Sequence, residues 1–186
     1  MARSHDGSII TYLGTRFWPF DPVVQRIELI DIAHALANLC RFTGHTRLFY
    51  SVAEHSVRVY ELVKEWTNDD NARRWALFHD APEAYINDIA APLKHTEAYS
   101  AYREAENRLM AAVTKRFKMS PVEPPEIKRA DLILRSTEKR DLMHGLGTGD
   151  PEPLLRHIAP WSPQRARARF LMAAKELGIE PTEVFG

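Results

Sequence analysis

The feature that most constrains the fold is a histidine and an aspartate placed side by side at the end of an apolar helical segment. The pair, His79 and Asp80, follows Trp75-Ala-Leu-Phe and precedes two further carboxylates, Glu83 and Asp88. An imidazole and a carboxylate that both point inward are costly to bury unless they find partners. A metal ion is one such partner, and it needs more ligands than one pair supplies. If a metal is the partner, other segments must bring ligands to this point.

Most of the chain has the apolar spacing of amphipathic helices. We predict helices over about 27–40, 51–66, 69–79, 97–117 and 125–142, a short one after Pro82, and a last one between Ser162 and Gly178. Residues 89–94 are expected to form an extended loop. Residues 8–13 are rich in β-forming side chains and precede Gly14, which favours a short strand or hairpin. We therefore expect an all-α bundle of about six helices with a small N-terminal β-hairpin.

Size and composition point to one ordinary globular domain spanning residues 1–186. Lys+Arg and Asp+Glu are both 25, so no net charge attracts a nucleic-acid polymer or an anionic membrane. Cys40 is the only cysteine, which excludes an intrachain disulfide and favours a reducing compartment. No apolar run approaches the ~18 residues of a membrane span. We expect a cytoplasmic protein without a membrane partner.

Two predicted helices carry a polar side chain on an apolar face. His55 comes three residues after Val52 and four before Val59, so it points into the core. Asp131 shares a face with Ile127, Leu134 and Glu138 and also requires a partner. A lone inward histidine is usually a hydrogen-bonded core residue, and that reading weakens only when partners appear.

The four groups His55, His79, Asp80 and Asp131 can converge across three helices. Two imidazoles and two carboxylates make a mixed nitrogen and oxygen ligand set. This set suits one divalent ion such as Mn, Fe, Co, Ni or Zn, and it leaves positions for water and substrate oxygen.

A short loop that turns at Gly44 collects Arg41, His45 and Arg47. Arginine suits phosphate because its planar guanidinium donates two parallel hydrogen bonds. Basic residues after a helix also complement the negative end of its dipole. The spacing alone leaves both interpretations open.

The order His…His-Asp…Asp in helical surroundings resembles the HD superfamily of metal-dependent phosphohydrolases. The resemblance covers about residues 31–142. Ser51-Val-Ala-Glu-His-Ser56 and the segment from His79 to Lys94 are similar to bacterial 5′-deoxynucleotidases. Cys40-Arg-Phe-Thr-Gly-His-Thr46 and Lys128-Arg-Ala-Asp131 are similar to phage deoxynucleoside triphosphohydrolases, including those that act on dATP.

The resemblance implies a role for each matching residue. His55, His79, Asp80 and Asp131 would bind one divalent metal, and Glu83 and Asp88 would order the attacking water and handle protons. The phosphate-binding residues would be Arg41, Lys94 and Lys128, and Phe42 and Pro92 would flank the base. The alternative to phosphate binding is that the two lysines lie in solvent at the surface. The alternative to base binding is that Phe42 packs against the N-terminal hairpin.

The expected activity is removal of phosphate or polyphosphate from 2′-deoxynucleotides, with purines favoured. The three cationic side chains favour a triphosphate as the substrate. Additional Mg would then accompany the polyphosphate. Within the enzyme class, the alternative is a 5′-deoxynucleotidase that acts on monophosphates. Outside it, the alternatives are a non-catalytic nucleotide-binding module and a plain helical interaction protein. We also expect a homo-oligomer.

Overall fold

The computed structural model describes residues 6–144 and 151–182. Over these residues the chain is mostly helical, and its buried apolar side chains form one core cluster. The described helices are α1 (Leu29–Asn38), α2 (Val52–Trp66), α3 (Asp70–Phe78), α4 (Glu83–Ile86), α5 (Ala91–Lys94), α6 (Ser100–Arg116), α7 (Pro125–Leu142) and α8 (Pro163–Glu176). Strands β1 (Ile9–Ile10) and β2 (Arg16–Phe17) form an antiparallel hairpin. The predicted all-α bundle with a small hairpin is confirmed.

The central element is α2, which packs against α1, α3, α7 and α8. Ten of its residues between Val52 and Val63 are buried, as expected for a helix enclosed by others. The predicted cap is present, since Ser51 Oγ accepts a hydrogen bond from Glu54 N at 3.1 Å. The Glu54 carboxylate accepts from Trp161 N at 2.7 Å and so ties the segment before α8 to the core. A polar side chain on α2 must find its partner inside the protein.

The N-terminal hairpin supports α4. Ile9 pairs with Phe17 across the hairpin, and Gly14 turns the chain with a φ of +77°, a conformation that suits glycine. The Phe17 ring is completely buried and stacks on Tyr85 of α4 with ring centroids 4.2 Å apart. This stack fixes the position of α4, which begins at Glu83.

The prediction of an extended loop over residues 89–94 is wrong for residues 91–94, although residues 89 and 90 lie outside any helix. Ala91–Lys94 form one helical turn, in which Leu93 N and Lys94 N donate to Ala90 O at 2.8 and 3.1 Å. Pro92 lies at the start of this turn, where its missing N–H costs nothing because that group would have no helical acceptor.

Among the described residues, no helix combines the length and apolar character needed to cross a membrane.

Candidate metal centre

Three of the predicted ligands meet at the centre of the bundle. His55 lies in the first turn of α2, and His79 and Asp80 directly follow α3. His55 Nε2 lies 3.3 Å from His79 Nε2 and 3.6 Å from Asp80 Oδ2, and His79 Nε2 lies 3.3 Å from Asp80 Oδ2. Tetrahedral ligands with bonds of about 2.1 Å are separated by about 3.4 Å. The triad is therefore compatible with a divalent metal.

The two imidazoles present the same atom to each other. His55 Nδ1 faces the Glu138 carboxylate at 2.7 Å, and His79 Nδ1 faces the Ala76 carbonyl at 2.9 Å. Because both oxygens are acceptors, each Nδ1 carries the hydrogen, and in neutral rings each Nε2 then carries a lone pair. Two lone pairs facing each other at 3.3 Å require a cation, either a shared proton or a metal ion.

Asp131 meets this triad through His55. Its Oδ1 lies 3.3 Å from His55 Nε2. Burial would raise the pKa of Asp131, but the hydrogen bond and charge of His55, with the charges of His79 and Arg41, hold that pKa below its usual value. Burial and Arg41 lower the pKa of His55, but Glu138 and Asp131 outweigh them and raise it to about 9. The cluster thus attracts positive charge strongly.

Glu138 is a member of this network that sequence reasoning missed. It is completely buried on α7, and Arg41 Nε and Nη2 both lie 3.2 Å from its Oε2. Arg41 Nη1 also reaches Asp80 Oδ2 at 3.4 Å. The position of Glu138 on the same helix face as Asp131 was visible in the sequence. A buried glutamate requires a partner as much as a buried aspartate does.

Arg41 is brought beside α2 by a closed loop. Arg41 N donates to Tyr50 O at 2.9 Å and Val52 N donates to Leu39 O at 3.0 Å, so residues 39–41 and 50–52 form an antiparallel bridge. Phe42 and Thr43 follow with φ values of +54° and +53°, which side chains with a Cβ rarely adopt. The Arg41 guanidinium lies 5.4 Å from the Phe42 ring centroid.

Glu83 is a buried carboxylate with one unused oxygen. Its Oε2 has no hydrogen-bond partner among the described residues, and its Oε1 lies 3.9 Å from Lys94 Nζ. Burial, with the nearby charges of Asp80 and Asp88, raises the pKa of Glu83 well above its usual value. Such a group holds a proton more readily than an ordinary glutamate does, which suits a role in proton transfer.

Asp88 follows a strained residue. Asn87 has φ +75° and ψ 161°, a region that is essentially restricted to glycine, and its carbonyl accepts from Tyr102 Oη at 2.7 Å. Burial raises the pKa of Asp88, and the positive charges of Arg41 and Lys94 oppose this. Backbone strain of this kind is concentrated at functional sites.

The two predicted phosphate-binding lysines are both near carboxylates. Lys94 Nζ lies 2.7 Å from Glu106 Oε1 and 5.5 Å from the Tyr102 ring centroid. Lys128 Nζ lies 3.4 Å from Asp131 Oδ2, and its side chain is 65% exposed. Each lysine therefore lies beside the cluster, already engaged with an acidic partner.

A cavity of about 320 Å³ opens beside the predicted metal ligands. Four residues of the predicted site line it, together with side chains that the sequence did not single out: His79, Asp80, Lys128, Asp131, Glu106, Asn107, Met110 and Glu123. The additional residues come from α6 and the turn before α7, and no local pattern marks them. Phe42 and Pro92 are not among the residues that line this cavity, and Pro92 is exposed.

Two known proteins are similar to this chain. It is 36% identical over 178 residues to the uncharacterized protein YfdR of Escherichia coli K12, and the match covers 91% of this chain and 94% of YfdR. It is 43% identical over 122 residues to an uncharacterized protein of Rhodobacter capsulatus, which covers 63% of this chain and 61% of that protein. A scan against family models finds no match.

Proposed function

The chain belongs to the same family as YfdR of Escherichia coli, and we propose that it is a metal-dependent phosphohydrolase that acts on 2′-deoxynucleotides. One observation carries the proposal. Two imidazole Nε2 atoms face each other at 3.3 Å, both Nδ1 atoms are engaged with acceptors, and two carboxylates adjoin them. A purely structural core does not need this arrangement, because an isosteric apolar pair avoids its desolvation cost.

The residues present fit one divalent transition ion. His55, His79, Asp80 and Asp131 would hold it through two nitrogens and two oxygens, a set that suits Zn, Co, Mn, Fe or Ni. Glu138 and the Ala76 carbonyl orient the two imidazoles, as the outer partners of metal-binding histidines commonly do. A metal bound there would polarise a phosphoryl oxygen and lower the pKa of a water molecule.

Glu83 and Asp88 are the proposed proton-handling groups. Both lie outside the ligand set, both have a raised pKa, and Glu83 has a carboxylate oxygen without a partner among the described residues. Glu83 would accept a proton from the attacking water and return it to the leaving oxygen. Lys94 and Lys128, with Arg41 behind Asp80, would stabilise negative charge on the phosphate.

The pairing of the cations favours a monophosphate as a second candidate substrate. Arg41 binds Glu138 and Asp80, Lys94 binds Glu106, and Lys128 lies beside Asp131. Each cation is thus partly neutralised before a substrate arrives. A triphosphate would bring about four negative charges and would need additional Mg to enter a site that holds this many carboxylates.

A direct test combines metal analysis with a nucleotide panel. We expect about one equivalent of a divalent metal per chain and release of inorganic phosphate, pyrophosphate or triphosphate from 2′-deoxynucleotides, with purines preferred. The identity of the released anion separates a triphosphohydrolase from a 5′-deoxynucleotidase. Bound metal with tight nucleotide binding but no release would instead support a non-catalytic module, and absence of metal would support a plain interaction protein.

A further inference from the structure

A second cavity adjoins the one beside the metal ligands. It measures about 480 Å³ and lies between α3, α6 and the turn that precedes α7. The two cavities share four lining residues: His79, Asn107, Met110 and Glu123. A molecule whose phosphate lies beside Asp80 and Asp131 therefore has space for its remaining part in this second cavity.

The two cavities differ in chemistry. The cavity beside the proposed metal ligands contains two carboxylates that face lysines, Asp131 and Glu106, and the proposed ligand His79. The second adds Trp75, Met119 and Pro121 to the shared Met110, and its remaining lining residues are Ala111, Thr114 and Lys115. Methionine thioethers are polarisable and make favourable contacts with aromatic rings. The paired cavities thus provide a charged end and an end suited to a flat, largely apolar group.

The wall of the second cavity is held in place by hydrogen bonds. Trp75 Nε1 donates to Ser120 O at 3.1 Å. Asn71 Oδ1 accepts from Ser120 N at 2.8 Å, and Asn71 Nδ2 donates to Ser120 Oγ at 3.0 Å. These bonds attach the turn that carries Met119 and Pro121 to α3. The cavity is therefore preformed, which lowers the cost of ordering side chains around a ligand.

Polar groups lie where a nucleoside needs them. Asn107 lines both cavities and is exposed, so its amide can donate to or accept from a sugar hydroxyl. Glu123 also lines both cavities and can accept from a base amino group. A volume near 480 Å³ falls in the range of small-molecule sites, about 300–1,000 Å³.

We propose that this second cavity binds the nucleoside part of the substrate, with the base against Met110, Met119 and Pro121. The inference rests on the proposed phosphohydrolase function, and it assigns the base to a different surface from Phe42 and Pro92. Neither of those residues lines either cavity. The exposed position of Pro92 and the contact of Phe42 with Arg41 agree with this placement.

A binding measurement tests the site without any need for turnover. The full chain has five methionines, and labelling their methyl groups with carbon-13 gives a separate NMR signal for each. On titration with 2′-deoxyadenosine, we expect saturable shifts of the Met110 and Met119 signals and unchanged Met143 and Met172 signals. Asn107→Ala should weaken this binding about two- to tenfold, the effect of losing one neutral hydrogen bond. Glu104→Gln, on the exposed face of the same helix, is the matched control.

Kinetics give a second, separate readout. Met119→Ala, which changes a residue that lines only the second cavity, should lower kcat/KM for dAMP and leave kcat/KM for 2-deoxyribose 5-phosphate within about twofold, because only dAMP has a base. Phe42→Ala should affect both substrates equally. Failure of any phosphate release would count against the proposed function, whereas absent or unsaturable shifts of Met110 and Met119, or a loss specific to dAMP in Phe42→Ala, would overturn the nucleoside site.

Discussion

Glu138 Oε1 lies 2.7 Å from His55 Nδ1, and both side chains are completely buried. The contact joins two helices, α2 and α7, at residues that are 83 positions apart. It fixes which ring nitrogen of His55 carries the hydrogen and therefore which one is free for a metal. Since Arg41 binds the other Glu138 oxygen, the guanidinium helps to hold the carboxylate in this position.

Replacement of Glu138 should weaken metal binding without removing a ligand. In Glu138→Gln the charge that orients His55 is lost, and we expect metal affinity to fall about 10- to 100-fold. Competition with a chelator of known affinity measures the change. Glu126→Gln, a half-buried change at the start of the same helix, is the control and should leave affinity unchanged. Equal affinities for Glu138→Gln and wild type would show that Glu138 does not orient His55.

Replacement of Glu83 should abolish turnover and leave the metal in place. Glu83 lies three residues after the proposed ligand Asp80 but outside the proposed ligand set, so Glu83→Ala should retain about one equivalent of metal while kcat falls by at least about 100-fold. Metal analysis and nucleotide hydrolysis on the same preparation measure both. A variant that keeps most of its kcat would remove Glu83 from the reaction.

The raised pKa of Glu83 also predicts how stability depends on pH. Its pKa is above the unfolded value of about 4.3. Ionisation of Glu83 therefore costs folding free energy, a cost that is absent below about pH 4 and grows as pH rises through the folded pKa. In metal-free protein, Glu83→Gln removes this cost, so its stability relative to wild type should increase as the pH rises above about 4.

Urea denaturation at several pH values measures this difference. Glu104→Gln, which changes an exposed carboxylate, is the control and should show no such trend. A change at Asp69 would not serve as a control, because Asp69 caps α3 and its loss would affect stability directly. The same stability difference for Glu83→Gln at pH 4 and pH 8 would mean that Glu83 ionises as easily in the folded chain as in the unfolded one.

The sequence predicted much of the fold because most helices carry their own local signals, namely capping residues, first-turn prolines and apolar faces. The Ser51 cap and Pro125 at the first position of α7 mark the starts of two helices, and the observed bounds follow them closely. His55 and Asp131 were identifiable because each interrupts an apolar face. The helical turn at Ala91–Lys94 was missed because four residues are too few to show an apolar periodicity, although a proline is common in the first turn of a helix.

The rest of the site depends on tertiary contacts. Which carboxylate Arg41 binds is settled by the packing of α7, 97 residues further along the chain. The two cavities form where α3, α6 and the turn before α7 leave space between them, so Asn107 and Met110 acquire a role only after packing. That one oxygen of Glu83 has no hydrogen-bond partner in the described part of the chain likewise depends on which helices surround α4.

The two lysines beside the cluster should matter more for triphosphates than for monophosphates. Lys94→Ala and Lys128→Ala each remove a charge-assisted contact, a loss of about 1.5–3 kcal/mol or roughly ten- to a hundredfold in kcat/KM. Lys64→Ala is the control because Lys64 pairs with Glu176 on another surface. Small, equal effects on all substrates would assign Lys94 and Lys128 to structural ion pairs with Glu106 and Asp131.

The strained residue before Asp88 gives the last prediction. Asn87 has φ +75° and ψ 161°, where a Cβ is unfavourable and glycine is not. Asn87→Gly should therefore be more stable than Asn87→Ala by about 1–3 kcal/mol, although glycine is the more flexible residue in the unfolded chain. Urea midpoints of the two variants measure the difference. If Asn87→Ala is the more stable, the backbone at residue 87 does not adopt this strained conformation in the folded protein.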